Sequence, residues 1–480
     1  MERSNSGTST GTTSAGPELL VELHRSNGPL AARLQGALRE AVRAGRLAPG
    51  ERLPSTRTLA RDLGVSRRLV VEAYTQLVAE GWLAARQGAG TSVAGPPRER
   101  SRLPAPEPAP ELVGRLPYDF FPGSPDLASF PRALWLRTLR EVLRSAPDEA
   151  LHYPDVAGTP ELRDALSAQL GRVRGVVTTP ERMLVTSGAR QGLALLGRML
   201  ARRGVARVAI EWPTLPLHGE ILEAAGLEIA RVPVDADGLL VERLEATGAG
   251  AVLVTPAHQA PRGVALTPAR RAALVAWAQA GERLIVEDDY DAEFRYDRRP
   301  LGAVQALAPE HVAYLGSASK TLAPGLRLGW LALPAALVAP LAREKALDDG
   351  GCQTLDQLTL ARLLDTAAYD RVLRAARRRN RARRDALVSA LEAELPGTRL
   401  EGLAAGLHAL ARLPAPVDAA RLVAATRAVG VGVYPIPDRN GQADELVLGY
   451  ACLSEPAITE GVRRLAEALA EVAGSGAPAA

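Results

Sequence analysis

The chain has 480 residues, 47% of them hydrophobic, and a formal net charge of +4. That length accommodates two or three domains with substantial cores, and the composition excludes a disordered or fibrous protein. No run reaches the roughly 18 to 20 apolar residues of a membrane span, and the polar start lacks a secretory layout, so a cytoplasmic protein with no membrane partner is expected. The two cysteines, Cys352 and Cys452, lie far apart with no C-x-x-C and no histidine cluster, a spacing that argues for neither a disulfide framework nor a metal site.

Residues 1–17 (MERSNSGTSTGTTSAGP) read as a disordered tail. Beyond it, Leu30, Leu34, Ala37, Leu38, Ala41 and Val42 follow helical spacing up to Gly45. A second helix is predicted over 55–63 and, after the tight turn 64–66, a third over 67–81 with Ser66 as its N-cap. On this third helix Val70, Ala73, Tyr74 and Leu77 share one side, and Arg68, Val71, Glu72 and Thr75 the other, with Arg67 in the first turn. A helix face that opens with two arginines offers bidentate donors to guanine and charge to phosphates, as a helix in the major groove needs. Residues 82–93 (WLAARQGAGTSV) read as a β-hairpin with a Gly-rich tip, forming a wing. Between Pro29 and Val93 ten arginines stand against five acids, so the basic surplus of the chain is concentrated here. A mainly α domain with a β wing is therefore expected over 18–95, with double-stranded DNA as its partner.

Seven prolines between Ala94 and Pro117 make 96–117 a semi-rigid linker. The remainder, 118–471, is expected to be one large α/β domain, followed by a second disordered tail over 472–480.

Within that domain the choice of basic residue is informative. Of 58 lysines and arginines only Lys320 and Lys345 are lysine. An ε-amine can lose its proton and attack a carbonyl, whereas a guanidinium cannot. Lys320 sits in 314-YLGSASKTLAPGLRLGW-330 with Ser317, Ser319 and Arg327 near it, a set suited to a phosphate. Upstream, 283-RLIVEDDYDAEF-294 reads as a strand running into acids, which places Asp288 at a carboxyl end, where ligands gather in open α/β sheets. A carboxylate there is either a surface charge or the partner of a pyridinium nitrogen, and Tyr290 is then placed to donate to the ring hydroxyl of pyridoxal phosphate. In 183-MLVTSGARQGLALL-196 a strand ends in Ser187 and Gly188 and a helix begins at Ala189, a second phosphate element. From Arg371 to Arg384 eight of fourteen residues are arginine. This run reads as a solvated helix face, with a DNA contact as the alternative.

The segment 46-RLAPGERLPSTRTLARDLGVSRRLVVEAYTQLVAEGWL-83 resembles the winged helix-turn-helix of GntR-family regulators, and the motifs around Ser187, Asp288 and Lys320 resemble fold-type I aminotransferases. The whole chain, from about Leu19 to Leu469, is similar to the MocR subgroup, in which a winged helix-turn-helix precedes a pyridoxal-phosphate-dependent aminotransferase-like domain. That resemblance implies DNA contacts at Arg57, Arg67, Arg68, Gln87 and Gly88. It also implies Lys320 as the Schiff-base lysine, Asp288 as pyridinium partner, Tyr290 as ring-hydroxyl donor, and Ser187, Gly188, Ala189, Ser317, Ser319 and Arg327 as phosphate ligands. Tyr153 would reach the phosphate of the other subunit of a homodimer, and His258 lies in the loop that approaches the cofactor.

The chain departs from its relatives where they hold the amino acid. Leu215 replaces a ring-stacking tyrosine, Leu217 and Val447 replace arginines that hold substrate carboxylates, and Arg262 falls in the loop 260-APRG-263, which relatives write Pro-Thr-Gly. Arg190 or Arg262 can substitute as carboxylate partner. Two functions follow: a transcription regulator whose aminotransferase-like domain senses a small molecule, an amino acid or pyridoxal phosphate itself, and a working aminotransferase that carries a DNA-binding module.

Overall fold

The computed structural model describes residues 29–86, 89–94, 116–296 and 301–474. The N-terminal tail, nearly all of the linker, Gln87, Gly88 and the last six residues lie outside them. The chain divides into two compact units, Met1–Glu111 and Leu112–Ala480.

In the first unit, α1 (Leu30–Arg43), α2 (Thr56–Asp62) and α3 (Arg67–Ala79) precede an antiparallel hairpin of β1 (Leu83–Arg86) and β2 (Gly90–Val93). Caps set the helix starts: Ser55 accepts from the Thr58 amide and Ser66 from the Leu69 amide. Leu34, Leu38, Leu59, Val70, Ala73, Tyr74, Leu77, Leu83 and Val93 form a single core, in which the Tyr74 hydroxyl donates to the Pro54 carbonyl at 3.0 Å. The periodic apolar positions of α3 are thus its buried side, and Arg67, Arg68, Val71, Glu72 and Thr75 are left exposed.

The second unit opens with β3 (Tyr118–Asp119), α4 (Arg132–Ser145) and α5 (Pro160–Arg174). Its main sheet is built from β4 (Met183–Thr186), β5 (Arg207–Trp212), β6 (Glu228–Asp235), β7 (Gly238–Leu239), β8 (Ala251–Val254), β9 (Leu284–Asp289), β10 (Val312–Ser317) and β11 (Gly329–Ala332), in the order β4-β11-β10-β9-β8-β5-β6-β7. The pairs from β10 through β6 are parallel, and β11 runs against both of its neighbours. Parallel strands are covered on both faces and so become continuously apolar, as in the fully buried Ala251–Val254. The connecting helices are α6 (Ala189–Arg202), α7 (Pro216–Ala224), α8 (Leu244–Thr247), α9 (Pro268–Ala280) and α10 (Ala335–Asp348). Helices α6, α7 and α10 cover one face; α9, together with α5 and α11 (Thr354–Asp365), covers the other. The 27-residue α12 (Ala368–Glu394) leads to a smaller antiparallel sheet of β12 (Arg399–Glu401), β13 (His408–Asp418), β16 (Gln442–Gly449) and β15 (Tyr434–Ile436), with α13 (Ala419–Ala428) and α14 (Glu455–Gly474) packed on it. A short β14 (Val431–Gly432) pairs with β3. Helix α14 runs to Gly474, three residues into the stretch read from sequence as a tail, because Ile458, Val462, Leu465 and Leu469 keep its apolar side in the small-domain core.

One buried ion pair ties the main sheet together. Arg174 at the end of α5 donates through Nε to Asp289 Oδ2 at 2.7 Å with both side chains nearly inaccessible, and the Tyr314 hydroxyl donates to the same oxygen at 2.5 Å. Removing one member of such a pair strands the other charge in low dielectric. Arg174→Met is expected to lower the unfolding free energy in urea by roughly 3 to 5 kcal/mol; a loss below about 1 kcal/mol would show that Asp289 does not depend on this arginine.

Candidate functional site at the carboxyl ends of the parallel strands

The side chains singled out in the sequence converge where the parallel strands end. Residue Thr186 closes β4, and Ser187 and Gly188 lead into α6; Asp288 lies near the end of β9, and Ser317 ends β10. Gly188 caps α6 with φ +87°, a left-handed conformation that favours glycine. A Cβ on it would meet the Arg327 guanidinium, and a Cβ on Gly329 would come within 2.7 Å of the Gly188 backbone. The close approach of β11 to the start of α6 therefore requires both glycines. Arg327 has φ +53° and donates to the Ser187 carbonyl, so its guanidinium lies across the first turn of α6. The Ser319 amide donates to Ser317 Oγ at 3.4 Å, and Ser187 Oγ lies 3.5 Å from Cys352 Sγ.

Lys320 is partly buried and donates to the Gly123 carbonyl. Burial lowers the pKa of its ammonium; Asp291 and Asp288 act in the opposite direction, and Arg190 adds to the lowering. Asp288 Oδ2 lies 3.3 Å from His218 Nε2, while its buried Oδ1 has no hydrogen-bond partner among the described residues. The period-two alternation of β9 turns Asp289 to the opposite face, toward Arg174. His258 donates through Nδ1 to Asp291 at 3.0 Å, and the Tyr290 hydroxyl lies 3.2 Å from the same nitrogen. Burial, and then Asp291, Asp288 and Glu211, raise the Tyr290 phenol well above its ordinary pKa, so it stays a donor. Beneath them Glu211 accepts from the Thr255 amide and hydroxyl at 3.0 and 2.5 Å, and burial pushes it up to about 7.

Three histidines of the chain's six meet here, and only His258 had been singled out. His218 was missed, although it lies one turn into the helix that follows 213-PTL-215. His408, at the start of β13, packs its ring 5.3 Å from that of His258, and its Nε2 is buried without a partner among the described residues. Burial first, and then the charges of His258 and Lys320, push His408 down to about 4. Asp291 and Gly123 were also missed, although Asp291 lies inside the motif 283-RLIVEDDYDAEF-294. Their relevance is carried by contacts across the fold.

The sites of departure resolve as follows. Val447 is buried inside β16, paired with Leu410 and Tyr434, as part of the small-domain sheet. Leu215 stands half exposed before α7. Arg262 donates to Glu445 at 2.9 Å, and Glu445 also takes Arg412, so Arg262 is committed to an ion-pair network. Arg190 is exposed in the first turn of α6, with no ion-pair partner among the described residues. Tyr153 is 90% exposed, with the His152 ring edge-on to it at 5.4 Å. In the first unit Arg57, Arg67 and Arg68 are all exposed, with Arg67 Nε 3.5 Å from Thr56 Oγ1. Gln87 and Gly88 lie outside the described residues.

A winged helix joined to an α/β domain with a buried lysine at the strand ends defines a DNA-binding regulator with an aminotransferase-like domain. Residues 30–93 match the family of bacterial regulatory proteins of the gntR type, and residues 128–464 match aminotransferase class I and II. The chain is 36% identical over 397 residues to the HTH-type pyridoxine biosynthesis transcriptional regulator PdxR of Corynebacterium glutamicum, covering 82% of this chain and 85% of that one. It is 30% identical over 485 residues to the probable rhizopine catabolism regulatory protein MocR of Rhizobium meliloti, covering 96% and 97%. Among solved structures the kynurenine aminotransferase of Pyrococcus horikoshii aligns with a TM-score of 0.67 at 26% identity, over 75% of this chain and 92% of that one. The protein belongs to the MocR subgroup of GntR-family transcription regulators. No helix among the described residues is long and apolar enough to cross a membrane.

The depressed His408 has a sign that can be checked. Its folded pKa of about 4 lies below the ordinary 6.5, so between these values the unfolded chain binds the extra proton and acidification destabilises the fold. The contribution is complete above pH 6.5 and is lost as pH falls toward 4. It amounts to about 3 kcal/mol for a shift of this size. His408→Asn is expected to flatten the pH dependence of urea unfolding in that window by a similar amount; parallel curves for variant and parent would show that His408 titrates normally.

Proposed function

We propose that pyridoxal phosphate binds at the carboxyl ends of β4, β9 and β10, with Lys320 as its covalent partner, and that this same molecule is the signal the regulator senses. The unpartnered Asp288 Oδ1, the Gly188 and Gly329 approach beneath Arg327, and the buried amine of Lys320 fit the three ends of that molecule: ring nitrogen, phosphate and carbonyl. When bound, it supplies an electrophilic carbonyl and a pyridinium electron sink. Asp288 holds a proton at the ring nitrogen while His218 orients the carboxylate, and Tyr290 donates to the ring hydroxyl beside His258. Ser187, Gly188, Ala189, Ser317, Ser319 and Arg327 surround the phosphate, and lowering of its pKa leaves more of the Lys320 amine unprotonated. In a homodimer the exposed Tyr153 extends to the phosphate of the partner subunit.

The observation that carries the sensing reading is a contrast. The residues expected around the cofactor lie at or near the carboxyl ends of the strands, while Val447 offers a carboxylate no charge and Arg262 is held by Glu445, which supports a site that favours the cofactor over an amino acid. A carboxylate that lacks a bidentate arginine loses a few kcal/mol of interaction. The C. glutamicum relative named as a pyridoxine biosynthesis regulator supports the same reading. The winged helix docks α3 in the major groove of an operator in the cytoplasm, through Arg67 and Arg68, with Arg57, Gln87 and Gly88 beside them. Occupancy of the large unit shifts operator affinity only as far as the ligand prefers one state of the protein. The second reading is an aminotransferase; Arg190, exposed and close enough to lower the Lys320 pKa, is the feature that favours it.

Added pyridoxal phosphate should give the visible absorbance of a lysine-bound cofactor with the parent chain and none with Lys320→Ala, while the variant keeps its operator affinity without ligand. Operator binding should respond to pyridoxal phosphate and not to amino acids; the reverse response would replace the sensing reading with the enzymatic or amino-acid one. Arg67→Ala should weaken operator binding by about 1 to 3 kcal/mol if it reads a base, and unchanged affinity would move the base contact elsewhere on α3.

A further inference from the structure

The arginine run of α12 is two faces. Arg377 donates to the Glu293 carbonyl, Arg379 lies 3.4 Å from Asp126, and Arg383 donates to the same carboxylate at 2.9 Å and to the Ala451 carbonyl. Arg384 is half-buried beside Tyr296 and Tyr450. Three of these four are bonded inside the unit and the fourth is half-buried. The other four, Arg371, Arg374, Arg378 and Arg381, are exposed, and none has a hydrogen-bond or ion-pair partner through its side chain among the described residues. Their spacing of three, four and three residues puts them on one stripe of the helix. The nearest acid along the chain, Asp370, is already taken by Arg172 at 2.8 Å, and Asp385 stands one turn past Arg381.

Like charges at these spacings repel one another and disfavour the helix unless a counter-charge meets them. Outside Pro29–Val93 the chain is close to neutral, the five-charge surplus of that segment exceeding the overall +4 by one. The stripe is therefore segregated charge, not a sample of a generally basic surface. It spans about 15 Å at 1.5 Å per residue, and one strand of B-DNA passes about four phosphates in that length.

We propose that this stripe of α12 is a second phosphate-binding surface for duplex DNA, separate from the winged helix. The proposal rests on the reading of the chain as a DNA-binding regulator. Arginine suits it because the guanidinium is weakly hydrated and pairs with phosphate oxygens two at a time. Contacts of this kind carry no sequence information; they add affinity and salt dependence.

The test uses the full-length chain and a fluorescent random-sequence duplex, with anisotropy read over a series of NaCl concentrations. Replacing Arg371, Arg374, Arg378 and Arg381 together by Gln should lower the slope of log affinity against log salt by about 2 to 4, since each phosphate contact contributes about 0.9. The control replaces Arg137, Arg140 and Arg144 by Gln on α4, where Glu141 stands within an equally exposed set; its slope should stay near that of the parent. An unchanged slope in the α12 variant overturns the proposal, as does an equal fall in both variants, which would assign the effect to overall charge. An α12 variant with the parent slope that no longer associates with itself or with another protein would give the stripe to a protein partner and likewise overturn it. A parent chain that does not bind duplex DNA at all overturns the regulator reading itself, a result distinct from either.

Discussion

The alternation of β9 is the constraint from which the large unit is built. Successive side chains of a strand face opposite ways, so Asp288 and Asp289, adjacent in sequence, enter different worlds. Asp289 is neutralised inside the fold by Arg174 and Tyr314. Asp288 keeps one oxygen unpartnered where the parallel strands end. Two adjacent buried carboxylates are tolerable only where each has its own surroundings: Asp289 has an arginine and a tyrosine, and Asp288 has His218.

The rest of the site extends this division of labour. Burial lowers the pKa of the Lys320 ammonium, and the two nearby aspartates act against it. The glycines at 188 and 329 let β11 and Arg327 approach the start of α6, and the partial positive charge of that helix end favours an anion there. A histidine pair, His258 and His408, fills the space between the main sheet and the small-domain strand β13. That pair brings the small-domain strand β13 against the loop that carries His258.

The motifs read most clearly where chemistry is local. Ser66 caps its helix as residue type and spacing require, while Ser55, read as the first residue of the second helix, is its cap instead. The apolar side of α3 is buried as its periodicity demands, and the strand endings at Thr186, Asp289 and Ser317 follow from apolar runs that give way to polar residues. What sequence could not show was pairing. Arg262 is a plausible carboxylate ligand until Glu445, 183 residues away, is seen to hold it. The run 371–384 is one block of charge until the helix separates its bonded arginines from its free ones.

By itself the sequence determined the order of the two units, the winged-helix pattern, the residue types around Lys320 and the family to which they belong, because each depends on neighbours within a turn or a strand. Tertiary structure alone decided that His218 meets Asp288, that Asp291 and His408 frame His258, that Val447 is buried in the small-domain sheet, and which arginines remain unpaired. Those outcomes depend on distances between residues tens to more than a hundred positions apart, and on how much water each charge keeps; local pattern encodes neither.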